Sequence, residues 1–188
     1  MRAVRDGDLS QLGTLFERYH PALHDFLCRM TGNAAVAEDL VQDVFLRVLK
    51  YRATFRDEGQ FDTWLYRIAR NARTDYFRSR RPTESIDEGA MDMRQHGEAP
   101  ADVIDRERDV ARLRRALLLL REDKRELIVL ARYRAMKHEQ IADLLGIHVG
   151  AVKVRLHRAI QELRTIFLEL EEGQPWTAKR LVRNLQIV

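Results

Sequence analysis

Two aromatic rings and two guanidinium groups share one face of a predicted helix in the middle of the chain. The stretch from Phe61 to Arg81 contains no Gly or Pro, and its residues can be placed on a helical period. Single-stranded nucleic acid binds to surfaces of this kind, where cations meet phosphates and flat rings stack under bases. A basic surface helix with two partly buried rings is the alternative interpretation. The residues on this face are Tyr66, Arg70, Arg73 and Phe77.

A second basic surface is predicted further along the chain. Glu139 to Leu145 forms a short amphipathic pattern, Gly146 suits the left-handed residue that ends a helix, and Gly150 to Leu168 forms a longer pattern. This order is typical of a helix-turn-helix, although an ordinary helical hairpin with a solvated basic face is the alternative. The cations of the second helix suit phosphates or guanines, and its small apolar residues suit thymine methyl groups. Its outward residues are Ala151, Lys153, Val154, Arg155, His157 and Arg158.

A third surface is predicted on the helix from Ala34 to Tyr51. Its apolar residues form one wide face, but Leu46 falls on the opposite face. A leucine framed by polar groups indicates a protein-docking patch, and a lone exposed leucine is the alternative. The framing residues are Asp39, Gln42 and Asp43.

The chain offers little for catalysis. His20 and His24 lie four residues apart, but Pro21 stands between them and no third metal ligand has suggestive spacing, so we expect two exposed histidines. There is no nucleophile with a paired base and no Gly-rich phosphate loop. We therefore expect neither an enzyme nor a protein that requires a metal or cofactor. The one cysteine, Cys28, is expected to be a buried thiol, which is typical of a reducing compartment.

All three predicted surfaces lie on predicted helices. The sequence therefore predicts an all-α fold of two small helical domains. The first, residues 1–81, contains helices over Asp8–Met30, Ala34–Tyr51 and Phe61–Arg81, and Pro21 is expected to kink or divide the first of them. The second, residues 106–170, begins with helices over Arg106–Leu120 and Asp123–Tyr133 and contains the helix-turn-helix.

Residues 82–105 are predicted to form an acidic, flexible linker between the domains. This segment has no apolar period and carries seven carboxylates against Arg94 alone, directly after a helix end rich in arginine. Residues 171–188 are expected to be a tail of unknown role. The carboxylates of the linker are Glu84, Asp87, Glu88, Asp92, Glu98, Asp102 and Asp105.

Composition permits a nucleic-acid partner and argues against a membrane protein. The 188 residues are 33% charged and 45% hydrophobic, with a formal net charge of +4. No apolar run approaches the roughly 20 residues of a membrane span, and the N-terminus lacks the apolar core of a secretion signal. We expect a cytoplasmic protein.

Both halves of the chain resemble one protein family. AEDLVQDVFLRVL (Ala37–Leu49) and FDTWLYRIARNARTDYFRSRR (Phe61–Arg81) resemble the second conserved region of the extracytoplasmic-function subfamily of bacterial sigma factors. LRRALLLLREDKRELIVLARY and EQIADLLGIHVGAVKVRLHRAIQELR resemble its fourth region. The likeness extends from about Gly7 to Arg164 in the order and spacing of the family.

The resemblance implies a transcription initiation factor that binds core RNA polymerase, directs it to promoters and assists DNA opening. The helix with Leu46 would dock on the clamp helices of polymerase, the helix from Gly150 would read the minus-thirty-five element, and an anti-sigma factor is an implied partner. Lys137 replaces the usual Ser or Thr cap, so that helix start should be weaker. The residues implied at the minus-ten element are Trp64, Tyr66, Arg70, Asn71, Arg73, Phe77, Arg78, Arg80 and Arg81.

A second functional hypothesis remains open at this point. A helix-turn-helix activator could carry an N-terminal bundle that serves only as a sensor or dimerisation module. The aromatic and basic face of the helix from Phe61 argues against it, because a sensor has no use for such a face. Binding of core polymerase distinguishes the two classes.

Overall fold

The regular elements in the described part of the chain are all helices. A computed structural model describes residues 1–56, 60–79 and 101–171, and for residues 101–106 and 171 it describes only the backbone. A 3₁₀ turn, Arg52–Thr54, follows α3, and a π-helical segment, Val129–Tyr133, continues α6. The α-helices are α1 (Arg2–Arg5), α2 (Gln11–Thr31), α3 (Ala34–Tyr51), α4 (Phe61–Ser79), α5 (Ala101–Leu119), α6 (Glu122–Ile128), α7 (His138–Leu145) and α8 (Val149–Glu171).

The first helical unit consists of α1 to α4, with α2, α3 and α4 around one apolar core. Pro21 lies inside α2 without dividing it, so of the two expected effects, a kink or a division, the division does not occur. Gly32 ends the helix with a φ of 76°, a conformation that glycine adopts without steric cost. The Asn33 side chain then accepts a hydrogen bond of 3.0 Å from the Val36 N–H and caps α3. Core side chains include Leu23, Phe26, Leu27, Leu40, Val44 and Leu65.

The second unit consists of α5 to α8 and includes the predicted helix-turn-helix. Gly146 ends α7 with a φ of 66°, and the chain turns directly into α8. The predicted start of α5 is wrong, because the helix begins at Ala101 and not at Arg106. The remainder of the acidic linker, 82–100, and the tail from 172 lie outside the described residues. Buried side chains of this unit include Leu117, Leu130, Ile141, Val152, Leu156 and Ile166.

The two units are in direct contact. Helix α4 lies against α7, and α2 lies against α5 and the π-helical segment. Two arginines of the second unit donate to backbone carbonyls of α2, Arg125 to Met30 at 2.8 Å and Arg134 to Ala22 at 2.6 Å. Burial, together with the nearby positive charge of Arg73, lowers the pKa of Arg125. The contact therefore brings several cations into a region with limited access to water.

The start of α7 allows a stability prediction. Lys137 stands at the N-cap with extended backbone and no side-chain cap, while the Gln140 side chain accepts a hydrogen bond of 2.7 Å from the Lys137 N–H. Lys137→Ser would add an acceptor for the first-turn N–H groups and remove a cation from the positive end of the helix dipole. We expect the free energy of unfolding to rise by about 0.5–1 kcal/mol in urea titrations. Lys137→Ala is the control, and equal stability of the two variants would contradict the capping argument.

Candidate nucleic-acid interface

The face of α4 that the sequence places in solvent is mostly covered in the structure. The opposite side of the helix faces the core, since Leu65, Ile68 and Ala72 are buried. The predicted outward positions of Tyr66 and Arg73 are wrong, because these residues are only 5% and 4% exposed. Of the other two residues on this face, Arg70 is half-buried and Phe77 is exposed.

Carboxylates of the second unit pair with three arginines of α4. Arg70 Nε donates to Glu126 Oε1 at 2.8 Å, and Arg70 Nη1 donates to the Leu144 carbonyl at 3.1 Å. Arg73 forms an ion pair with Glu122. At the edge, Arg67 Nη2 lies 3.2 Å from Asp143 Oδ2. We call these three arginine–carboxylate pairs the charged interface.

Tyr66 is buried because it takes part in both units. Its ring makes an edge-on contact with Phe26 of the first core, with ring centroids 5.0 Å apart. Burial raises the pKa of the Tyr66 hydroxyl. The positive charge of Arg134 from the second unit partly opposes this rise. The tyrosine that the sequence suggested for base stacking is therefore unavailable in this arrangement.

An open cleft lies on the uncovered side of α4. Its volume is about 360 Å³, and Asn71 and Arg78, both assigned from the sequence, line it. Its other lining residues are Arg47, Tyr51, Ile68, Thr74 and Asp75. The cleft offers an aromatic ring, an amide and guanidinium groups, which are the groups that an unstacked base or a phosphate could contact.

An ion-pair network supports one wall of this cleft. Arg47 of α3 donates to Asp75 of α4 at 2.6 Å and to Asp43 at 3.0 Å. The hydrogen bond from Arg47 lowers the pKa of Asp75. Sequence reasoning missed Arg47, although its position four residues after Asp43 is a spacing that brings opposite charges together on a helix.

The other residues that the resemblance implies at the minus-ten element lie either in the first unit or outside the described residues. Trp64 is half-buried beside Phe55, with ring centroids 5.6 Å apart, and its Nε1 donates to Thr54 Oγ1 at 3.3 Å. It therefore supports the loop after α3. Arg80 and Arg81 lie outside the described residues.

The predicted docking patch on α3 is present at the surface. Leu46 is 67% exposed, and Asp39 and Gln42 are exposed beside it. Asp43 is half-buried and paired with Arg47, so its carboxylate has a structural partner within the chain. Leu46 is outside the apolar core, as the helix phase predicts.

The outward face of α8 also matches the sequence prediction. Lys153, Val154, Arg155, His157 and Arg158 are exposed, and Ala151 is half-buried. The intervening Val152, Leu156 and Ala159 are buried and fix the helix against the second core. This arrangement leaves a row of cations with one exposed valine among them, so both phosphate and base contacts are sterically open.

The two histidines of α2 are half-buried, not exposed as expected. His20 Nε2 lies 3.2 Å from Glu38 Oε2, and His24 Nε2 lies 3.9 Å from the same oxygen. Within residues 1–56, 60–79 and 101–171, no group of three or more His, Cys, Asp or Glu side chains has an arrangement that could hold a metal ion. Cys28 is a buried free thiol, as predicted.

None of the described helices combines the length and apolarity that a membrane crossing requires.

Comparison with known proteins assigns the two units to a family. Residues 15–83 match the model of sigma-70 region 2, and residues 111–163 match that of sigma-70 region 4. RNA polymerase sigma factor CarQ of Myxococcus xanthus is 37% identical over 175 residues, which cover 91% of this chain and 97% of that protein. ECF RNA polymerase sigma factor SigW of Bacillus subtilis is 30% identical over 87% of this chain and 92% of its own length. The chain belongs to the extracytoplasmic-function group of the sigma-70 family.

Solved structures show the same fold. The sigma factor RpoE from Bartonella quintana, solved in complex with the anti-sigma factor NepR, aligns with a TM-score of 0.67 at 26% identity. That alignment covers 82% of this chain and 94% of the RpoE chain. CnrH, solved in complex with the cytosolic domain of CnrY, aligns with a TM-score of 0.65 at 25% identity, over 87% of this chain and 91% of CnrH.

Proposed function

We propose that this protein is a promoter-specificity subunit that binds core RNA polymerase, recognises minus-ten and minus-thirty-five elements and assists DNA opening. Membership of the sigma-70 family through both regions supports the proposal most strongly. The protein would act by binding, with no catalytic step of its own. Because its partner is the cellular polymerase, this role would place it in the cytoplasm.

The helix α8 is proposed to read the minus-thirty-five element. Its exposed face carries Lys153, Arg155, His157 and Arg158, which suit phosphates and guanine edges in the major groove. Val154 and Ala151 would contact thymine methyl groups. Helix α7 would cross the DNA backbone, as the first helix of such a motif does.

The first unit, 1–81, is proposed to recognise and open the minus-ten element. The cleft beside Asn71 is large enough for an unstacked base, and Tyr51 provides a ring at its edge. Asn71 would hydrogen-bond the base, while Arg78 would contact a neighbouring phosphate. Phe77 is exposed at the end of α4 and would stack on a second base.

The outer face of α3 is proposed to dock on polymerase through Leu46, with Asp39 and Gln42 at its rim. An exposed apolar side chain within a polar rim is the usual arrangement of a binding hot spot. Because Asp43 is paired with Arg47, it would contribute mainly by holding the rim in place. Since RpoE was solved in complex with the anti-sigma factor NepR, we also propose that such a factor regulates this chain.

Association with core polymerase separates the proposed function from a conventional DNA-binding activator. The full chain should co-elute with core polymerase in size-exclusion chromatography without DNA, and a nonspecific basic protein of similar size is the control. An activator whose first unit is a sensor would bind duplex operator DNA and leave the polymerase elution unchanged. That pattern would contradict the proposal.

A further inference from the structure

We propose that the short helix α1 is a positioning element of the base cleft, because it holds the turn that fixes Tyr51. This inference rests on the proposed function, in which the cleft beside Asn71 takes an unstacked base and Tyr51 supplies the ring at its edge. The described lining residues of the cleft belong to α3 and α4. Helix α1 would therefore act on DNA indirectly, through the 3₁₀ turn Arg52–Thr54.

The end of α3 depends on side chains from outside the helix. Its last residue is Tyr51, and Arg52 follows with ordinary right-handed backbone in place of a left-handed glycine. Arg52 Nη1 donates to the Leu49 carbonyl at 2.8 Å, and the Thr54 hydroxyl donates to the Tyr51 carbonyl at 2.7 Å. These are carbonyls of the last helical turn, which lack partners within the helix. The backbone of Tyr51 is thus tied to the conformation of the 3₁₀ turn.

Helix α1 packs against this turn. It contacts both the turn and α2, and its Val4 side chain is completely buried although the helix has only four residues. Arg5 Nη1 lies 3.5 Å from the carbonyl oxygen of Phe55, the residue that follows the turn. A helix this short has little stability of its own, so its contacts with the rest of the first unit hold it in place.

Phe55 anchors the turn a second time. Its side chain is 6% exposed and packs edge-on against Phe61 and Trp64 of α4, with ring centroids 5.8 Å and 5.6 Å apart. Both Val4 and Phe55 are buried, yet they stand apart from the main apolar core cluster. Small buried groups of this kind commonly lie under loops. The turn is therefore held by two elements, α1 and α4.

Loss of the α1 contact should free the turn and leave the other walls of the cleft in place. Asn71 lies on α4, whose Ala72 is buried in the main core, and Arg47 stays paired with Asp75. Only the ring of Tyr51 would gain freedom. A side chain that must be ordered when the base binds loses conformational entropy at that step, which weakens binding.

The first test replaces Val4 with alanine in the full chain bound to core polymerase. The ligand is a promoter that the wild-type holoenzyme transcribes, prepared as a duplex with an unpaired minus-ten segment. We expect Val4→Ala to bind it about five-fold more weakly than the wild type, the loss that corresponds to ordering one side chain. Val41→Ala is the matched control, because Val41 is equally buried but lies nearly three helical turns before Tyr51. Equal weakening by the two variants would overturn the proposal.

A double-mutant cycle separates positioning from a general loss of stability. Tyr51→Ala removes the ring through which α1 is proposed to act. Adding Val4→Ala to Tyr51→Ala should then leave promoter affinity nearly unchanged, whereas urea denaturation should show the same destabilisation by Val4→Ala in both backgrounds. A five-fold loss of affinity that persists without the Tyr51 ring would show that α1 does not act through it.

Hydrogen exchange measures the turn directly and needs neither DNA nor polymerase. The Phe55 N–H donates to the Arg52 carbonyl at 3.2 Å and reports on the turn. In the Val4→Ala protein, a peptide covering residues 50–56 should exchange about ten-fold faster than in the wild type, because the turn opens locally. A peptide covering residues 36–48 should exchange as before. Unchanged exchange of the turn would refute the brace between α1 and Tyr51.

Failure of the inference and failure of the proposed function are distinguishable. If the wild-type holoenzyme binds and transcribes promoters but Val4→Ala behaves as Val41→Ala does, the positioning role of α1 is refuted and the function stands. If the wild-type chain neither binds polymerase nor supports initiation, the proposed function is refuted.

Discussion

Replacing Leu46 with alanine is expected to weaken the binding of core RNA polymerase about 30-fold, which corresponds to roughly 2 kcal/mol. The side chain lies outside the core and is 67% exposed, so no apolar packing within the chain depends on it. Its burial against a partner would instead remove apolar surface from water at the centre of a polar rim. The free energy of unfolding should change by less than about 0.5 kcal/mol, as for other exposed substitutions.

Fluorescence titration with core polymerase measures this effect, and urea denaturation measures stability in parallel. Leu9→Ala is the matched control, because Leu9 is also an exposed leucine of the first unit, at 49%, but belongs to the turn between α1 and α2. We expect the Leu9 variant to bind polymerase normally. Unchanged polymerase affinity of a folded Leu46→Ala protein would remove this patch from the proposed mechanism.

The second large effect is expected on the outward face of α8. Arg155→Ala and Arg158→Ala should each weaken binding of the holoenzyme to promoter duplex by about 1–3 kcal/mol if the arginine makes a bidentate base contact. Such a loss would relax specificity at one base pair. If the arginine contacts a phosphate, affinity should fall evenly across sequences and the salt dependence should become less steep.

Binding of a set of promoter variants at two or more salt concentrations separates these outcomes for each arginine. Arg164→Ala is the control, since Arg164 is an exposed arginine further along the same helix, beyond the proposed contact face. Wild-type affinity and specificity of both the Arg155 and Arg158 variants would mean that α8 is not the reading helix.

The periodicity of a single helix was sufficient to predict which side chains are exposed wherever that helix packs only on the core of its own unit. Leu65, Ile68 and Ala72 are buried and Leu46 is exposed because the phase of each helix is set by its apolar stripe. The outward face of α8 follows from the same rule, with Val152, Leu156 and Ala159 as its buried side. The glycine end of α7 was also predicted, and Gly146 adopts the positive φ that such an end requires.

Helical periodicity predicted the wrong exposure where another element covers the polar face of a helix. Tyr66 and Arg73 have the phase of solvent-facing residues, but Tyr66 packs on Phe26 of α2 and Arg73 pairs with Glu122 of α6, so both are buried. The pairing of Arg73 with Glu122 joins residues far apart in the chain, and both halves carry many charges that could pair differently. The i, i+4 spacing of Glu122 and Glu126 was visible in the sequence, but their partner was not.

Promoter-selective transcription by purified core polymerase tests the central claim most directly. A fragmented genomic template library would be transcribed with and without the full chain, and the 5′ ends of the transcripts would be sequenced. We expect the chain to create a discrete set of start sites that share one minus-ten and one minus-thirty-five sequence at fixed spacing. Leu46→Ala should reduce all of these starts together. Start sites that are identical with and without the chain would contradict its assignment as a promoter-specificity subunit.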